Sequence, residues 1–313
     1  MTVSVFDITV CDWNTGNRII AESVYEVLYN LFPSHVLISL PYWEPFTPMT
    51  LDYVRESDYV FFGGGNHLSS RLENFFWGVT EENYRSVRNV LLLGLGWWKY
   101  EGRVEENAER VLRHTLHPGL LHSVRDSYAK EKLSSIGIDN VLVTGCPSMW
   151  GLTPEHCESI EKDKSDSVLF TFSSDYAPDM KRDSQILQTL KKNYEKLYFW
   201  PQGPADCGYI RKFDFSGTVL PANLPALDNY LENTRTDYIG TRLHAGIKAM
   251  QHSRRSIIVA IDNRAAEKGK DFNLPVVSSE KLEKIDGKIN SSWRTKLKIP
   301  LDNIEKWKRQ FKQ

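Results

Sequence analysis

The chain has 313 residues, which at about 150 residues per domain predicts two domains. Its 39 Lys and Arg nearly balance its 40 Asp and Glu, for a net charge of −1. This balance argues against a general nucleic-acid binder, which carries a basic excess. A hydrophobic content of 41% with 9 Trp, 14 Tyr and 14 Phe excludes a disordered chain.

The sequence predicts neither a membrane span nor a disulfide framework. Its longest apolar run, residues 90–98, is well short of the roughly 20 residues that a spanning helix needs. The N-terminus has no signal-like segment, and none of the four cysteines are spaced as CxxC. We therefore expect a cytoplasmic protein with reduced cysteines.

The first half alternates short apolar runs with helical stretches. Strands are predicted over residues 3–10, 35–40, 59–62, 90–95 and 141–144, and helices over residues 16–31, 104–114 and 127–136. This βαβα alternation predicts a mostly parallel, doubly wound sheet in an N-terminal α/β domain, residues 1–155.

The second half repeats the pattern after a polar stretch, residues 155–167, that we interpret as a linker. Strands are predicted over residues 168–172, 197–200, 218–220, 237–240 and 256–261, and helices over residues 182–194, 224–233 and 242–252. A second α/β domain therefore covers residues 165–290. A cleft between two such domains is the expected place for a ligand.

The tail, residues 291–313, is predicted to form a basic amphipathic helix. It carries seven Lys or Arg against two Asp or Glu, and Leu301, Ile304, Trp307 and Phe311 form one apolar stripe. Docking of this stripe on a domain is the first interpretation. Peripheral contact with an anionic membrane surface is the second.

The strongest candidate site is the segment 237–250, where a short strand ends at Gly240 and a helix follows. Thr241 is placed to cap that helix, with Arg242 and His244 in its first turn. Arg normally avoids a helix N-terminus, so a bound anion would explain both residues. Pairing of Arg242 with a carboxylate, and packing of His244 in the core, is the alternative.

Weaker candidates follow other predicted strands. Arg125 and Asp126 come at a strand end, where ligands of parallel sheets bind. They form either part of a ligand site or an ordinary ion pair. Gly64, Gly65 and Asn66 form either a ligand-binding loop or a tight turn. This run is neither a dinucleotide fingerprint nor a P-loop.

Three more segments carry polar or aromatic candidates. Asn14 and Asn17 lie between the first strand and the first helix, as ligand contacts or as turn and cap residues. Gln202 and Asp206 follow a strand and could bind hydroxyls. Trp97 and Trp98 could stack on a sugar or belong to the core.

The sequence resembles the polysaccharide pyruvyl transferase family in several runs that keep the family's order over about residues 12–277. These runs are FFGGGN, SVRDSYAKEKLSSIGIDNVLVTGCPSM, WPQGPAD, IGTRLHAGIKAM and IIVAIDNRAAEKGKDFNLP. The resemblance implies two Rossmann-like domains facing a cleft, similar to the glycosyltransferase-B arrangement. It also implies transfer of pyruvyl from phosphoenolpyruvate to two hydroxyls of a sugar in cell-surface or extracellular polysaccharide biosynthesis.

The resemblance implies specific donor contacts. Arg242, Leu243 and His244 would contact phosphoenolpyruvate, with Arg125 as a second donor-binding arginine. Many family members carry Gly-Asp where this sequence has Gly16 and Asn17. The change removes a carboxylate, although Asn17 can still hydrogen-bond a ligand.

The chemistry is consistent with these residues. Phosphoenolpyruvate carries a carboxylate and a phosphate, and arginines give bidentate contacts to both. Arg242 and His244 are the predicted catalytic residues, with His244 as the general acid and base because histidine is the natural choice for proton transfer near neutrality. Neither a metal nor a cofactor is expected. The expected partners are phosphoenolpyruvate and a saccharide acceptor that is nucleotide- or lipid-linked, and the sequence leaves acceptor identity and oligomeric state open.

Two other functions remain open from sequence. A glycosyltransferase would use the same helix N-terminus to bind a nucleotide-sugar donor. An inactive binding protein with the same fold is the other alternative, and Asn17 is the feature that points to it.

Overall fold

The computed structural model describes residues 1–74 and 78–312. The chain divides into two compact units. Unit 1 contains Met1–Asp12, Ile20–Trp150 and the segment from Ile299 onward, and unit 2 contains Trp13–Ile19 and Gly151–Lys298. Within the described residues, each unit has one six-stranded parallel sheet with helices, which confirms the predicted α/β class with two Rossmann-like units.

Six strands form the sheet of unit 1 among the described residues. They are β1 (Thr2–Asp7), β2 (Val36–Pro41), β3 (Tyr59–Gly63), β4 (Val90–Leu95), β5 (His122–Val124) and β6 (Val141–Val143). The helices are α1 (Thr15–Leu31), α2 (Pro48–Glu56), α3 (Glu106–Thr115) and α4 (Ser127–Ser134), with the C-terminal α12 (Leu301–Arg309). Helix α1 belongs to this unit from Ile20 onward.

The unit 1 sheet has the order β2-β1-β3-β4-β5-β6. The chain runs from β1 out to β2 and then returns to β3 on the other side of β1. Such a reversal is a topological switch point, where ligands of doubly wound sheets bind beyond the carboxyl ends of the strands. The apolar side of α1 is buried, as its helical spacing predicts, with Ile20, Val24 and Leu28 at most 3% exposed.

The elements of unit 2 repeat this plan. Its strands are β7 (Ser167–Thr171), β8 (Lys196–Phe199), β9 (Thr218–Val219), β10 (Asp237–Gly240), β11 (Ser256–Ala260) and β12 (Val276–Ser278). Its helices are α5 (Pro154–Ser159), α6 (Met180–Asn193), α7 (Pro204–Ile210), α8 (Leu224–Asn233), α9 (Leu243–Gln251), α10 (Asn263–Phe272) and α11 (Glu283–Ile289).

The unit 2 sheet has the order β12-β11-β10-β7-β8-β9. The chain moves outward from β7 through β8 to β9, and then returns to β10 on the other side of β7. The switch point therefore lies between β7 and β10, and the loops that follow these strands are the expected ligand loops. Apolar residues of the sheet and of α6 form the core of this unit, among them Phe170, Ile186 and Ile239.

The C-terminal helix is shorter than predicted and is docked. It spans Leu301–Arg309 rather than residues 291–313, and Ile304, Trp307 and Phe311 are buried in unit 1. Phe311 packs against Phe32, Tyr59 and Phe61. Three residues of the predicted apolar stripe thus pack in the core of the unit and are not exposed for contact with a membrane.

Other predicted boundaries also differ. The stretch interpreted as a linker overlaps α5, whose first turn is capped by the Thr153 side chain. The Pro and Gly loop after β8 contains α7, because Pro204 occupies a position in the first turn where its missing N–H has no cost. Among the described residues, no helix is both long and apolar enough to cross a membrane.

Candidate functional site

The candidate site of unit 2 is built where β10 ends beside β7. Gly240 lies against Thr171, and a Cβ at position 240 would come within 2.7 Å of the Thr171 carbonyl oxygen. Glycine therefore allows the two strand ends to approach closely. The Thr241 N–H continues the ladder to the Thr171 carbonyl, at 3.1 Å, and α9 then starts at Leu243.

Arg242 is the N-cap residue of α9, and its side chain is directed to two carboxylates. Its Nη2 lies 2.6 Å from Asp175 Oδ1 and 2.8 Å from Asp206 Oδ1. Its Nε donates to the Phe172 carbonyl at 3.2 Å. Arg242 is therefore paired with carboxylates, as the alternative interpretation predicted. These ion pairs lie at the switch point of the sheet.

The two carboxylates around Arg242 differ in how firmly they are held. The Asp206 side chain is fully buried and also accepts hydrogen bonds from the N–H groups of Ser174, Gln202 and Gly203. The Asp175 side chain is 23% exposed. Asp206 is thus a fixed counter-charge that positions Arg242 rather than a partner for ligand hydroxyls, whereas Asp175 is the more exposed partner of Arg242.

A second arginine lies near the same loop. Arg264 is ion-paired with Asp262, the N-cap residue of α10, and its Cζ is 5.5 Å from the ring centre of Tyr176. Burial lowers the pKa of Arg264, but the Asp262 carboxylate outweighs it and leaves the pKa above its usual value. The side chain is 31% exposed, so it is accessible to an anion.

The first turn of α9 holds the other predicted site residues. Leu243 and His244 are buried, at 5% and 7% exposure. Thr241 does not cap the helix as predicted, because α9 has Arg242 as its N-cap residue and lacks a side-chain cap hydrogen bond. The Thr241 Oγ1 is instead buried without a hydrogen-bond partner among the described residues.

Arg125 in unit 1 is fully engaged in holding loops together. Only 1% of the residue is exposed, and its guanidinium donates to Asp126, to the Gly65 carbonyl and to Asn66 Oδ1. Gly96 leaves the space that the guanidinium occupies. Arg125 thus ties together the loops after β3, β4 and β5.

The glycine run of unit 1 forms a packed turn. Gly64 and Gly65 have φ values of +70° and +90°, which L side chains rarely adopt. A Cβ on Gly64 would also overlap Ile20 of α1. Asn66 uses its carbonyl for Arg125 and its amide N–H for the Trp98 carbonyl, at 2.5 Å. These contacts favour the tight-turn interpretation.

Asn17 and Gln202 both lie in unit 2. The Asn17 N–H donates to the Asn14 carbonyl at 2.9 Å, within the turn that opens α1. Gln202 is 5% exposed and its Nε2 donates to Asn14 Oδ1 at 2.9 Å. Trp97, by contrast, is fully buried with its Nε1 bonded to Glu101, so it belongs to the core and does not stack on a sugar.

Comparison with known proteins identifies the family. The model of the family described as polysaccharide pyruvyl transferase matches residues 14–263, well over half of the chain. The chain belongs to the polysaccharide pyruvyl transferase family. A solved structure described as the S. aureus MnaA–UDP co-structure resembles it with a TM-score of 0.49 and 12% identity, over 93% of this chain and 90% of that chain. Among curated proteins, no sequence matches.

Three residues near the candidate site of this pyruvyl transferase family member, Asp175, Tyr176 and Arg264, were not predicted as site residues from the sequence. Asp175 is ion-paired with Arg242, and the next residue, Tyr176, lies against Arg264. Asp175 and Tyr176 follow β7, so their closeness to the β10–α9 junction depends on strand order. The only sequence signal for Arg264 was its place, with Asp262, in the run that carries the family resemblance.

Proposed function

We propose that this transferase moves the pyruvyl group of phosphoenolpyruvate onto two hydroxyls of a sugar, forming a cyclic ketal in cell-surface or extracellular polysaccharide biosynthesis. The observation that carries the proposal is the arginine-lined N-terminus of α9 at the switch point of unit 2, in a chain that belongs to the pyruvyl transferase family. The proposed reaction needs no cofactor besides the donor.

Arg242 and Arg264 are the proposed donor-binding cations. The donor's carboxylate and phosphate need at least two, and both arginines lie beside the loop of Asp175 and Tyr176. The donor would replace Asp175 at Arg242, while Asp206 keeps the guanidinium in place. This assignment differs from the expected pair of Arg242 and Arg125, because Arg125 is buried and committed to its own loops.

The first turn of α9 supports anion binding in two further ways. The helix lacks a side-chain N-cap hydrogen bond, and its dipole favours a negative charge at this end. The Thr241 hydroxyl, buried without a partner among the described residues, would donate to a donor oxygen. A buried hydroxyl left without a hydrogen bond costs about 1–3 kcal/mol, which a ligand would recover.

His244 is the proposed general acid and base. Protonation of the donor's C3 makes C2 electrophilic, one sugar hydroxyl adds to C2, phosphate leaves, and the second hydroxyl closes the ring. The protons balance, because one of the two hydroxyl protons ends on C3 and the other leaves with phosphate. Histidine, which can both accept and donate a proton, suits both transfers.

A transfer assay tests the proposal. Wild-type protein is mixed with phosphoenolpyruvate and a panel of nucleotide-linked and simple glycosides in D₂O, and products are followed by mass spectrometry and phosphate release. We expect one phosphate per ketal and one solvent deuterium in the ketal methyl group. Cleavage of a nucleotide sugar with glycosyl transfer, independent of phosphoenolpyruvate, would instead establish the glycosyltransferase function.

We predict that His244→Ala separates binding from chemistry. Donor affinity should change by no more than a few-fold, while turnover falls by about 10²–10⁴, the usual size of a general acid–base contribution. Calorimetry and steady-state rates of the same preparation measure both. Weaker donor binding with unchanged turnover at saturation would show that His244 only positions the donor.

A further inference from the structure

An exposed indole and a buried amide lie together in unit 2, outside the proposed donor contacts. Trp13 is 52% exposed although it is one of the largest apolar side chains. Its six-membered ring lies over Gly203, at the start of α7, where an added Cβ would come within 2.7 Å of Trp13 Cε3. The ring therefore lies against the backbone of Gly203, while about half of the residue is exposed to solvent.

Gln202 precedes Gly203 in the sequence, and hydrogen bonds hold both its main chain and its side-chain amide. Its main-chain N–H donates to Asp206 Oδ2 at 2.9 Å, its main-chain carbonyl accepts from the Thr15 N–H at 3.0 Å, and its Nε2 donates to Asn14 Oδ1 at 2.9 Å. The side-chain Oε1 is buried and has no hydrogen-bond partner among the described residues. It is an oriented acceptor that lacks a donor.

Two glycines make this arrangement possible. A Cβ on Gly16 would come within 2.7 Å of Gln202 Cδ, as one on Gly203 would approach the indole. Any larger residue at either position would displace the amide or the ring. The seat of Trp13 and Gln202 is thus built into the backbone, rather than left by chance between mobile side chains.

We propose that Trp13, Asn14 and Gln202 form a binding platform for a sugar ring. A pyranose has a face of C–H groups that suits the indole and a rim of hydroxyls that can donate to the Gln202 Oε1. As an acceptor subsite the platform rests on the proposed function, because Asp206 joins the main chain of Gln202 to the guanidinium of Arg242. Sugar hydroxyls held by Gln202 would then lie on the same edge of unit 2 as the donor contacts.

Fluorine NMR tests the platform directly. The full chain is labelled with 5-fluorotryptophan, and the Trp13 resonance is assigned by its absence in Trp13→Phe. The probes are the methyl glycosides of glucose, galactose, mannose and N-acetylglucosamine, with uridine as a nucleoside probe. We expect at least one glycoside to shift the Trp13 resonance saturably.

Variants then locate the contacts. Trp13→Ala and Gln202→Met should each weaken binding of that glycoside by about tenfold, roughly the 1.4 kcal/mol expected for one good contact. Tyr29→Ala is the control, because Tyr29 is 59% exposed in unit 1 and should leave the affinity unchanged. No shift with any glycoside, a shift with uridine alone, or undiminished affinity in Trp13→Ala would overturn the proposal.

Titration of phosphoenolpyruvate into the same samples separates this proposal from the proposed function. Loss of glycoside binding in Trp13→Ala with donor binding intact supports an acceptor subsite. Glycoside binding at Trp13 in a protein that does not bind phosphoenolpyruvate would support the sugar platform and count against pyruvyl transfer. Binding of phosphoenolpyruvate without binding of any glycoside would count against the sugar platform and leave pyruvyl transfer supported.

Discussion

Two arginines with similar sequence surroundings have different environments. Arg125 and Arg242 each follow a strand and precede a helix, and both were expected to bind the donor. Arg125 is 1% exposed and bonded to three loop groups, whereas Arg242 faces the partly exposed Asp175. Burial and partner exposure, which sequence does not give, separate a positioning residue from a candidate ligand contact.

We predict that Arg125→Ala lowers the free energy of unfolding by about 3–5 kcal/mol, because Asp126 is left as an unpaired buried charge. Urea unfolding measures the change. Arg264→Ala is the matched control, since its partly exposed ion pair should contribute much less. Unchanged stability together with lost donor binding in Arg125→Ala would restore the sequence-based interpretation of Arg125 as a donor contact.

His122 predicts a pH dependence of stability. It is fully buried, with Nδ1 accepting from the Leu92 N–H, and burial lowers its pKa from 6.5 to about 4. The unfolded chain therefore binds a proton between pH 6.5 and 4 that the folded chain does not. The stabilisation by the neutral imidazole is fully present above about pH 6.5. As the pH falls to 4, the free energy of unfolding decreases by about 3 kcal/mol.

The measurement is the free energy of unfolding from pH 7 to pH 4 for wild type and for His122→Gln, whose amide keeps one donor and one acceptor. The wild-type curve should fall more steeply than that of the variant. Parallel curves would mean that the imidazole is already protonated in the folded protein or is accessible to solvent.

Strands were easier to predict from the sequence than short helices. The bounds of β4, β10 and α8 agree with the structure, because their apolar runs are clear and their flanking residues break the pattern. The helix α7 was missed, since two Pro and one Gly suggested a loop although Pro is favoured in a first turn. The helix α10 was also missed, although Asp262 before Asn263 is a recognisable N-cap.

The C-terminal helix gives a test of docking. Trp307 is fully buried and packs against Phe61, Trp150 and Phe311. We predict that Trp307→Ala lowers the free energy of unfolding by about 3–5 kcal/mol, as for other large aromatic deletions in cores. Leu301→Ala, on the 41% exposed start of the same helix, should change it by less than about 0.5 kcal/mol. Equal effects of the two variants would contradict a docked stripe.

For the whole molecule, alternation of strands and helices predicted parallel sheets, but not which strands are neighbours. The order of each sheet depends on where the chain reverses, and buried apolar strands carry no signal for this. It was predictable that Arg242, Leu243 and His244 follow β10, because this depends only on the order of residues along the chain. Their neighbours from the β7 loop and from α7, Asp175 and Asp206, were not, because they meet only through the fold.

We propose that phosphoenolpyruvate binds between Arg242 and Arg264 in place of the Asp175 carboxylate. The most direct test is calorimetric titration of phosphoenolpyruvate into wild type, Asp175→Asn and Arg264→Gln, with UDP as the competing ligand class. We predict saturable binding to wild type, binding up to about fivefold tighter to Asp175→Asn as a partly exposed ion pair is removed, and weaker binding to Arg264→Gln. Binding of UDP without phosphoenolpyruvate, or donor affinity that neither substitution changes, would contradict this placement of the donor.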